Sequence, residues 1–251
     1  MRSAPIVPSL PASLTTRLRS ETRALHSAAE RSRLMGALLC GRLPLPAYCA
    51  LLRNLHAIYA VLEPALRRHV ADPVLAPVLA PDLRRALWRS AALVADLQQL
   101  HGATWATAIA LQPATTRYVQ RLQALDATRP ELLLAHVYVR YLGDLSGGQI
   151  LSRIVARSLT ATADADASAS ANVSTPPGVA FYAFGDAAQT LALTQAFRAG
   201  LDAVRVDATT ADALVGEARR AFELHCALFD ELALACGLGD AAPAGAALAP
   251  A

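Results

Sequence analysis

The chain has 251 residues, enough for one sizeable hydrophobic core, and a formal net charge of only +3. Hydrophobic residues make up 54% of it, mostly alanine and leucine, which favour helices, whereas β-branched and aromatic residues are sparse. These values predict an all-α protein and exclude a basic tail or stripe of the kind that binds nucleic acid.

The ends of the chain and one internal stretch have the composition of flexible segments. Residues 1–11 contain three prolines where a secretory signal would carry an uninterrupted apolar run. No segment offers about twenty apolar residues free of charge and proline, so we expect a cytoplasmic protein without a membrane anchor. Flexible ends are predicted at 1–11 and 237–251, and a flexible internal loop at 160–177, within a single domain spanning 1–251.

Proline and glycine divide the rest of the chain into predicted helices, and no convincing strand is present. The first helix is predicted at 12–35, with Thr15 or Thr16 near its N-cap. The others, separated from each other by connectors such as 72–81, are predicted at 46–68, 83–100, 114–125, 130–159, 186–204 and 211–236. Cysteines 40, 49, 226 and 236 lack C-x-x-C spacing and predict reduced, packed thiols.

Three glycines interrupt the predicted helix at 130–159, where residues 138–149 read Y-V-R-Y-L-G-D-L-S-G-G-Q. A glycine costs about 1 kcal/mol relative to alanine in a helix interior, so Gly143, Gly147 and Gly148 oppose this helix. Such glycines occur where a helix bends or where another body approaches its backbone. Both a packed helix and a flat ligand satisfy that requirement.

His26 lies in the segment E-T-R-A-L-H-S-A-A-E, with Ala29 and Glu30 three and four residues later. On a helix this spacing places a small side chain and a carboxylate beside the imidazole. Such neighbours clear space next to a ligating histidine and orient its second nitrogen. A surface histidine or a satisfied core histidine fits the same pattern. The histidines at 56, 69, 101 and 136 have no better local context and are interpreted as structural.

Four segments together resemble the heme oxygenase family in order and approximate spacing. They are E-T-R-A-L-H-S-A-A-E at 21–30, L-H-A-I-Y-A-V-L-E at 55–63, R-Y-L-G-D-L-S-G-G-Q at 140–149 and G-V-A-F-Y-A-F at 178–184. The resemblance covers residues 12–236, and G-D-L-S-G-G-Q is highly specific. It implies a compact all-α, multi-helix fold in which heme lies between a proximal helix and a kinked distal helix.

The resemblance also implies a function and its partners. The family member would be a soluble, bacterial-type enzyme that cleaves heme to biliverdin, carbon monoxide and ferrous iron. It would use dioxygen and electrons from a ferredoxin or a flavoprotein reductase, and would act as a monomer without nucleic acid or membrane. Two alternatives stay open: a non-catalytic heme-binding or heme-buffering protein on the same fold, and a non-heme enzyme of the same helical superfamily.

Position by position, the resemblance assigns the centre of the site. It implies that His26 is the axial ligand of heme b iron and that Glu30 is the acid near it. Gly143 and Gly147 match positions whose backbone approaches the heme face, and Asp144 matches the carboxylate that holds distal water and supplies a proton. The resemblance therefore favours a ligand, rather than a helix, in front of the glycines. Gly148 has no assigned partner.

Further residues match positions around the heme in the family. Those matched to the polar network around the distal water are Tyr59, Tyr118 and Arg140. Those matched to heme contacts on the side of the propionates are Arg19, Tyr138 and Arg198. A further heme contact is matched by Phe222. Arginine suits propionates because it forms paired hydrogen bonds with carboxylates. Without the resemblance, these arginines read as solvated helix charges and the tyrosines as ordinary buried residues.

Two positions depart from the mammalian-type pattern. Thr194 stands where that pattern has a lysine four residues before Arg198, so one propionate contact is either weakened or made differently, and the regioselectivity of cleavage is left open. His225 stands where the pattern has an asparagine of the distal network. A histidine there can hydrogen-bond water, and it can also titrate.

Overall fold

The computed structural model describes residues 13–163 and 178–238. These residues form ten α-helices and no strand, which confirms the predicted all-α class for this part of the chain. The helices are α1 (Leu14–Glu30), α2 (Arg33–Leu39), α3 (Leu45–Arg68), α4 (Pro81–Leu87), α5 (Ser90–His101), α6 (Trp105–Ala108), α7 (Pro113–Thr128), α8 (Leu133–Ala163), α9 (Ala187–Ala203) and α10 (Ala208–Ala235). Short 3₁₀ turns lie at Ala76–Val78, Pro130–Leu132 and Ala180–Tyr182.

The first predicted helix is two helices in the structure, so its predicted extent was wrong. Ser32 ends the continuity, because its side-chain oxygen accepts a hydrogen bond from the backbone N–H three residues later and caps a new helix, α2. At the start of α1, Ser13 accepts a hydrogen bond from the backbone N–H of Thr16 at 3.2 Å. The N-cap of α1 is therefore Ser13 rather than Thr15 or Thr16.

The helix predicted at 83–100 is likewise divided, into α4 and α5, by a turn that contains the buried Arg89. The guanidinium of Arg89 donates hydrogen bonds to the backbone carbonyls of Leu87 at 3.0 Å and Ala183 at 2.9 Å. The buried carboxylate of Glu63 accepts from the backbone N–H groups of Arg89 and Ser90. These contacts satisfy the backbone at the turn, so the break is stabilised by residues remote in sequence.

The remaining long helices were predicted within a few residues. The exception is the end of α8, which continues to Ala163, so the predicted loop at 160–177 begins inside a helix. The remainder of that loop, 164–177, lies outside the described residues, as do the predicted flexible ends at 1–11 and 239–251. Residues 237 and 238, also predicted flexible, follow α10 in a described turn.

The cysteine prediction is only partly correct. Cys49 is buried in α3, whereas Cys226 and Cys236 are half-buried. Cys40 is exposed at the C-cap of α2, so it is not the packed thiol that its apolar neighbours predicted. All four thiols are free.

A single cluster of buried side chains contains residues from α1 through α10. Helix α1 packs along α10, α3 packs against α5 and α7, and α8 packs against α10 and α2. Every residue from Leu132 to Leu142 is buried, whereas Gly143, the next residue, is exposed. Helix α8 therefore changes at Gly143 from a core helix to the wall of an opening.

Within the described ranges, α3 has the length and composition of a membrane-crossing helix, with a mean hydropathy of 1.2 over its most apolar window. Of that window, 56% is buried inside the protein. Leu52, Ile58 and Leu62 have no exposed surface, so the apolar side chains of α3 are explained by its place in the core.

Candidate functional site

A cavity of about 200 Å³ lies between α1, α2, α3, α8 and α10. Most of its surface is apolar, with side chains such as Met35, Leu55 and Phe222 in its walls. The polar groups that reach it are few, and they include the imidazoles of His26 and His225. A mostly apolar cavity with a few convergent polar groups is typical of a site for a small organic ligand.

His26 projects from α1 into this cavity with part of its ring exposed. Its Nδ1 lies 3.6 Å from Oε2 of Glu30, one helical turn later, and Ala29 also lines the cavity. The ring of Phe222 from α10 meets the imidazole edge-on, with 5.8 Å between ring centroids. The arrangement predicted from the spacing of α1 is present, and an aromatic ring on a second helix helps to fix the imidazole.

The glycines of α8 have two different environments. Gly143 and Gly147 line the cavity one turn apart, and a Cβ atom added to Gly143 would meet no atom within 4 Å. A Cβ added to Gly148 would lie 3.6 Å from the ring of Tyr182, which is an ordinary packing distance. The cavity therefore begins in front of Gly143, whereas Gly148 has a protein neighbour that the sequence did not reveal.

Asp144 is the buried carboxylate beside these glycines, with 9% of its side chain exposed. The hydroxyl of Tyr59, from α3, donates a short hydrogen bond to Oδ2 of Asp144. Arg140, one turn earlier on α8, donates from Nη2 to Oδ1 of Asp144 at 3.4 Å and from Nε to the oxygen of Tyr59 at 3.2 Å. The three side chains thus form a closed triangle at the inner wall of the cavity.

Burial controls the protonation of this triangle. Burial raises the pKa of Asp144, although the charge of Arg140 and the hydrogen bond from Tyr59 oppose the shift. Burial also raises the pKa of Tyr59 well above its usual value, so its hydroxyl stays a donor. The carboxyl of Asp144 consequently holds a proton at higher pH than an exposed aspartate does.

His225, from α10, extends the triangle to a fourth side chain. Nη1 of Arg140 donates to Nδ1 of His225 at 3.0 Å, and the ring of Phe229 lies 4.1 Å from the imidazole between centroids. Burial, together with the charges of Arg140 and His26, lowers the pKa of His225 well below its usual value. The sequence singled out this position as a departure, but only the structure gives its partner.

Tyr118 does not join the triangle through a hydrogen bond. Its hydroxyl lies 3.0 Å from Nδ1 of the fully buried His136, and Nε2 of that ring lies 3.0 Å from the carboxylate of Glu217. Glu217 in turn pairs with Arg121 near the surface. The hydrogen bond of Tyr118 thus joins it to a chain of polar groups through His136 and Glu217, and its predicted place around the distal water stays a prediction.

The residues matched to propionate binding come together from three helices. Burial raises the pKa of the Tyr138 hydroxyl, and the nearby charges of Arg19 from α1 and Arg198 from α9 oppose the shift. Both arginines are exposed. Thr194 donates its hydroxyl to the backbone carbonyl of Thr190 in its own helix at 2.8 Å, so it does not replace a cationic side chain there.

One wall of the cavity comes from residues 178–184, which contain Phe181 and Tyr182. The carboxylate of Asp96, on α5, accepts hydrogen bonds from the backbone N–H groups of Ala180 and Phe181, both at 2.8 Å. The hydroxyl of Tyr48 donates to the carbonyl of Gly178 at 2.9 Å. Together with the contact from Arg89 described above, these bonds fix the backbone of this wall at several points.

Comparisons with known proteins identify the family of the chain. Residues 12–231 match a family described as heme oxygenase. Heme oxygenase 1 of Nostoc sp. is 35% identical over 219 residues, which are 87% of this chain and 85% of the relative. The chain belongs to the heme oxygenase family. Human heme oxygenase 1 is 34% identical over 224 residues, which are 89% of this chain and 73% of that heme oxygenase.

Solved heme oxygenase structures also match the fold. Heme oxygenase-2 from Synechocystis sp., in complex with heme and NO, has a TM-score of 0.78 and 31% identity, and the match covers 90% of this chain and 87% of that chain. Heme oxygenase from Leptospira interrogans has a TM-score of 0.75 and 33% identity, with coverage of 88% and 100%. The all-α heme oxygenase fold, heme binding and heme oxygenase activity predicted for this chain are thereby supported as a whole.

Proposed function

We propose that this heme oxygenase cleaves heme b to biliverdin, carbon monoxide and ferrous iron, with dioxygen and with electrons from a ferredoxin or a flavoprotein reductase. The main support is one cavity that has His26 in one wall and, in another, the bare backbone of Gly143 beside the buried carboxylate of Asp144. An imidazole ligand together with open space and a proton-holding group is the combination that oxygen activation at heme iron requires.

The residues around the cavity fit a heme. The contact of Nδ1 of His26 with Glu30 leaves Nε2 as the nitrogen that would bind iron. Phe222 would contact the porphyrin beside this ligand, since its ring already meets the imidazole. The absence of side chains at Gly143 and Gly147 would let the α8 backbone approach the other face.

The heme propionates would be bound beside the exposed side chains of Arg19 and Arg198. Arg19 and Arg198 both lie near Tyr138, outside the lining of the cavity, and both guanidinium groups are exposed and can turn towards a carboxylate. Thr194 adds no charge to this set, so two arginines and a tyrosine would fix the rotation of the porphyrin in its plane. That rotation determines which meso carbon faces the reactive oxygen.

When bound, heme would supply the iron that activates dioxygen and the carbon that is oxidised. The protein would supply the proton. Tyr59 and Arg140 each donate to a different oxygen of Asp144, and a second lone pair on each oxygen stays available for water in the cavity. Because its pKa is raised, the carboxyl of Asp144 would take up a proton and pass it on through that water.

Reconstitution with heme tests this proposal directly. Purified protein with heme, dioxygen and a reductant should form biliverdin, seen as a green product, and release carbon monoxide. The variant His26→Ala should lose the absorption spectrum of histidine-ligated heme. A wild-type protein that binds heme but returns it intact would be a non-catalytic heme-binding protein. Failure to bind heme at all would favour a non-heme enzyme of the same superfamily.

The proposal also includes a monomeric, cytoplasmic protein in which residues 12–236 form one helical domain. Support for the single domain comes from the buried cluster that runs from α1 through α10. Size-exclusion chromatography with light scattering should give the mass of one chain, 26.4 kDa. One cooperative unfolding transition is expected, whereas two separate transitions would divide the domain.

A further inference from the structure

Arg140 holds the polar wall of the cavity through all three of its guanidinium nitrogens. Nε donates to Tyr59 at 3.2 Å, Nη2 to Asp144 at 3.4 Å and Nη1 to His225 at 3.0 Å. Only 5% of the side chain is exposed, so water does not readily replace a lost partner. The guanidinium is planar and its donors diverge in fixed directions, so the contact that fixes one nitrogen also directs the other two.

Of these three contacts, the one to His225 is the shortest. Tyr59 and Asp144 also bond to each other, so they constrain Arg140 from the side of the triangle. His225 constrains it from the opposite side, through a different helix. Among the described residues, His225 is the acceptor with which Nη1 forms a hydrogen bond. Without His225 this buried donor would lose its acceptor, which is strongly unfavourable.

The imidazole of His225 is itself well fixed. Phe222, His225 and Phe229 follow one another at helical spacing on α10 and line the same cavity. Phe222 meets the ring of His26, whereas Phe229 packs on the ring of His225. One face of α10 therefore reaches both the imidazole proposed to bind iron and the guanidinium that holds the proton-handling carboxylate.

We infer that His225 is a positioning residue, whose unprotonated Nδ1 accepts the Nη1–H of Arg140 and thereby aligns that guanidinium with Tyr59 and Asp144. This inference rests on the proposed function, because the groups it aligns are those that would deliver the proton. His225 itself would not transfer a proton.

The surroundings of His225 agree with an unprotonated acceptor. Arginine only donates hydrogen bonds, so the ring nitrogen facing Arg140 has to carry a lone pair. The charged and titratable groups that act on the ring are Arg140 from α8 and His26 from α1, and neither favours an added proton. Nη1 of Arg140 lies 3.0 Å from Nδ1 of His225 and 3.5 Å from its Nε2, so we assign the shorter contact, with Nδ1 as the acceptor and the ring hydrogen on Nε2.

Two substitutions of similar size separate hydrogen bonding from packing. His225→Asn keeps an acceptor for Arg140, whereas His225→Leu removes it and fills a similar space. Glu223→Gln, at an exposed position on the same helix, is the matched control. In His225→Leu we expect kcat for biliverdin formation to fall roughly 10- to 100-fold, the range typical of lost outer-sphere partners. In His225→Asn and Glu223→Gln, kcat should stay within about threefold of the wild-type value, because neither variant removes the acceptor for Arg140.

A second readout distinguishes alignment from a general loss of structure. The affinity for heme should be unchanged in all three variants, because it would rest on His26 and the exposed arginines. The absorption spectrum of the ferric heme complex should change with pH, and the midpoint of this change reports on the polar groups of the cavity. This midpoint should shift in His225→Leu and stay unchanged in His225→Asn and Glu223→Gln. Unchanged kcat and midpoint in His225→Leu would overturn the inference. Equal losses in His225→Asn and His225→Leu would overturn it as well.

Should His225→Leu fail to fold, the wild-type apoprotein still provides a test. Nitrogen NMR of histidine-labelled protein should show His225 as a neutral imidazole at pH 7, with Nδ1 unprotonated. An imidazolium, or a proton on Nδ1, excludes the acceptor role. This measurement needs no heme, so a failure of the proposed function is distinguishable from a failure of the inference.

Discussion

Replacing Gly143 by alanine should make the protein more stable and less active at the same time. Gly143 lies in the interior of α8 in helical conformation, and a Cβ there would meet no atom within 4 Å. Alanine is favoured over glycine in a helix interior by about 1 kcal/mol, and no clash opposes this gain. For a protein of this size, the change should raise the Tm of the apoprotein by roughly 2–4 °C.

The same methyl group would project into the cavity beside Asp144, where the proposed mechanism needs water. We expect biliverdin formation to fall by about tenfold, because small displacements of reacting groups cost at least that much. A larger side chain in Gly143→Leu should abolish ring cleavage and yet leave heme bound through His26. From wild type to Gly143→Ala to Gly143→Leu, turnover should therefore fall while the affinity for heme is retained.

Gly216 provides a matched control on α10. It is also a helical glycine whose added Cβ would meet nothing within 4 Å, but it lies outside the cavity lining. Gly216→Ala should give the same gain in stability and full activity. Urea unfolding of the apoprotein followed by circular dichroism measures the first quantity, and biliverdin absorbance the second. A less stable Gly143→Ala protein, or one with full turnover, would refute the reasoning.

Three further predictions concern other parts of the structure. Asp144→Asn should retain heme but cleave it about 10²-fold more slowly, as expected for loss of a general acid, and wild-type turnover would contradict the proton role. Gly200→Ala should lower the free energy of unfolding by about 1–3 kcal/mol, because its Cβ would lie 2.6 Å from a backbone carbonyl oxygen of the neighbouring 3₁₀ turn; an unchanged urea midpoint would argue against that close packing. Burial raises the pKa of Glu217, but hydrogen bonds from Arg121 and His136 outweigh it and lower the pKa from 4.5 to about 2. The resulting stabilisation of the folded state is about 3 kcal/mol; it is complete above pH 4.5 and is lost as pH falls towards 2. In Glu217→Gln, the free energy of unfolding measured by acid titration should therefore decrease less over this pH range than in the wild type.

The sequence was sufficient for the long helices and insufficient for the breaks between them. Helices α3, α7, α9 and α10 follow from apolar periodicity and from proline or aspartate at their starts. The break before Ser32 had a local signal, since serine is a preferred N-cap, but it competed with a continuous helical pattern. The break at Arg89 had none, because the carbonyls and the carboxylate that stabilise it lie far away in the sequence.

The candidate site shows the same division between local and remote information. The resemblance supplied His26, Asp144 and Arg140, and the structure brings each of them to one cavity. The hydrogen-bond partner of Tyr118 is His136, and the burial of His136 cannot be predicted from the residues around it in the sequence. The contact between Arg140 and His225 joins two helices whose relative rotation is determined only by packing, so sequence reasoning stopped at the residue type.

The hydrogen bonds at residues 178–184 also affect how this chain can change in evolution. Asp96 from α5 and Tyr48 from α3 hold the backbone at Gly178, Ala180 and Phe181. The position of this cavity wall is thereby tied to two helices that are remote from it in the sequence. A substitution at Asp96 would therefore be selected against through its effect on the cavity wall, although Asp96 itself lies outside the cavity lining.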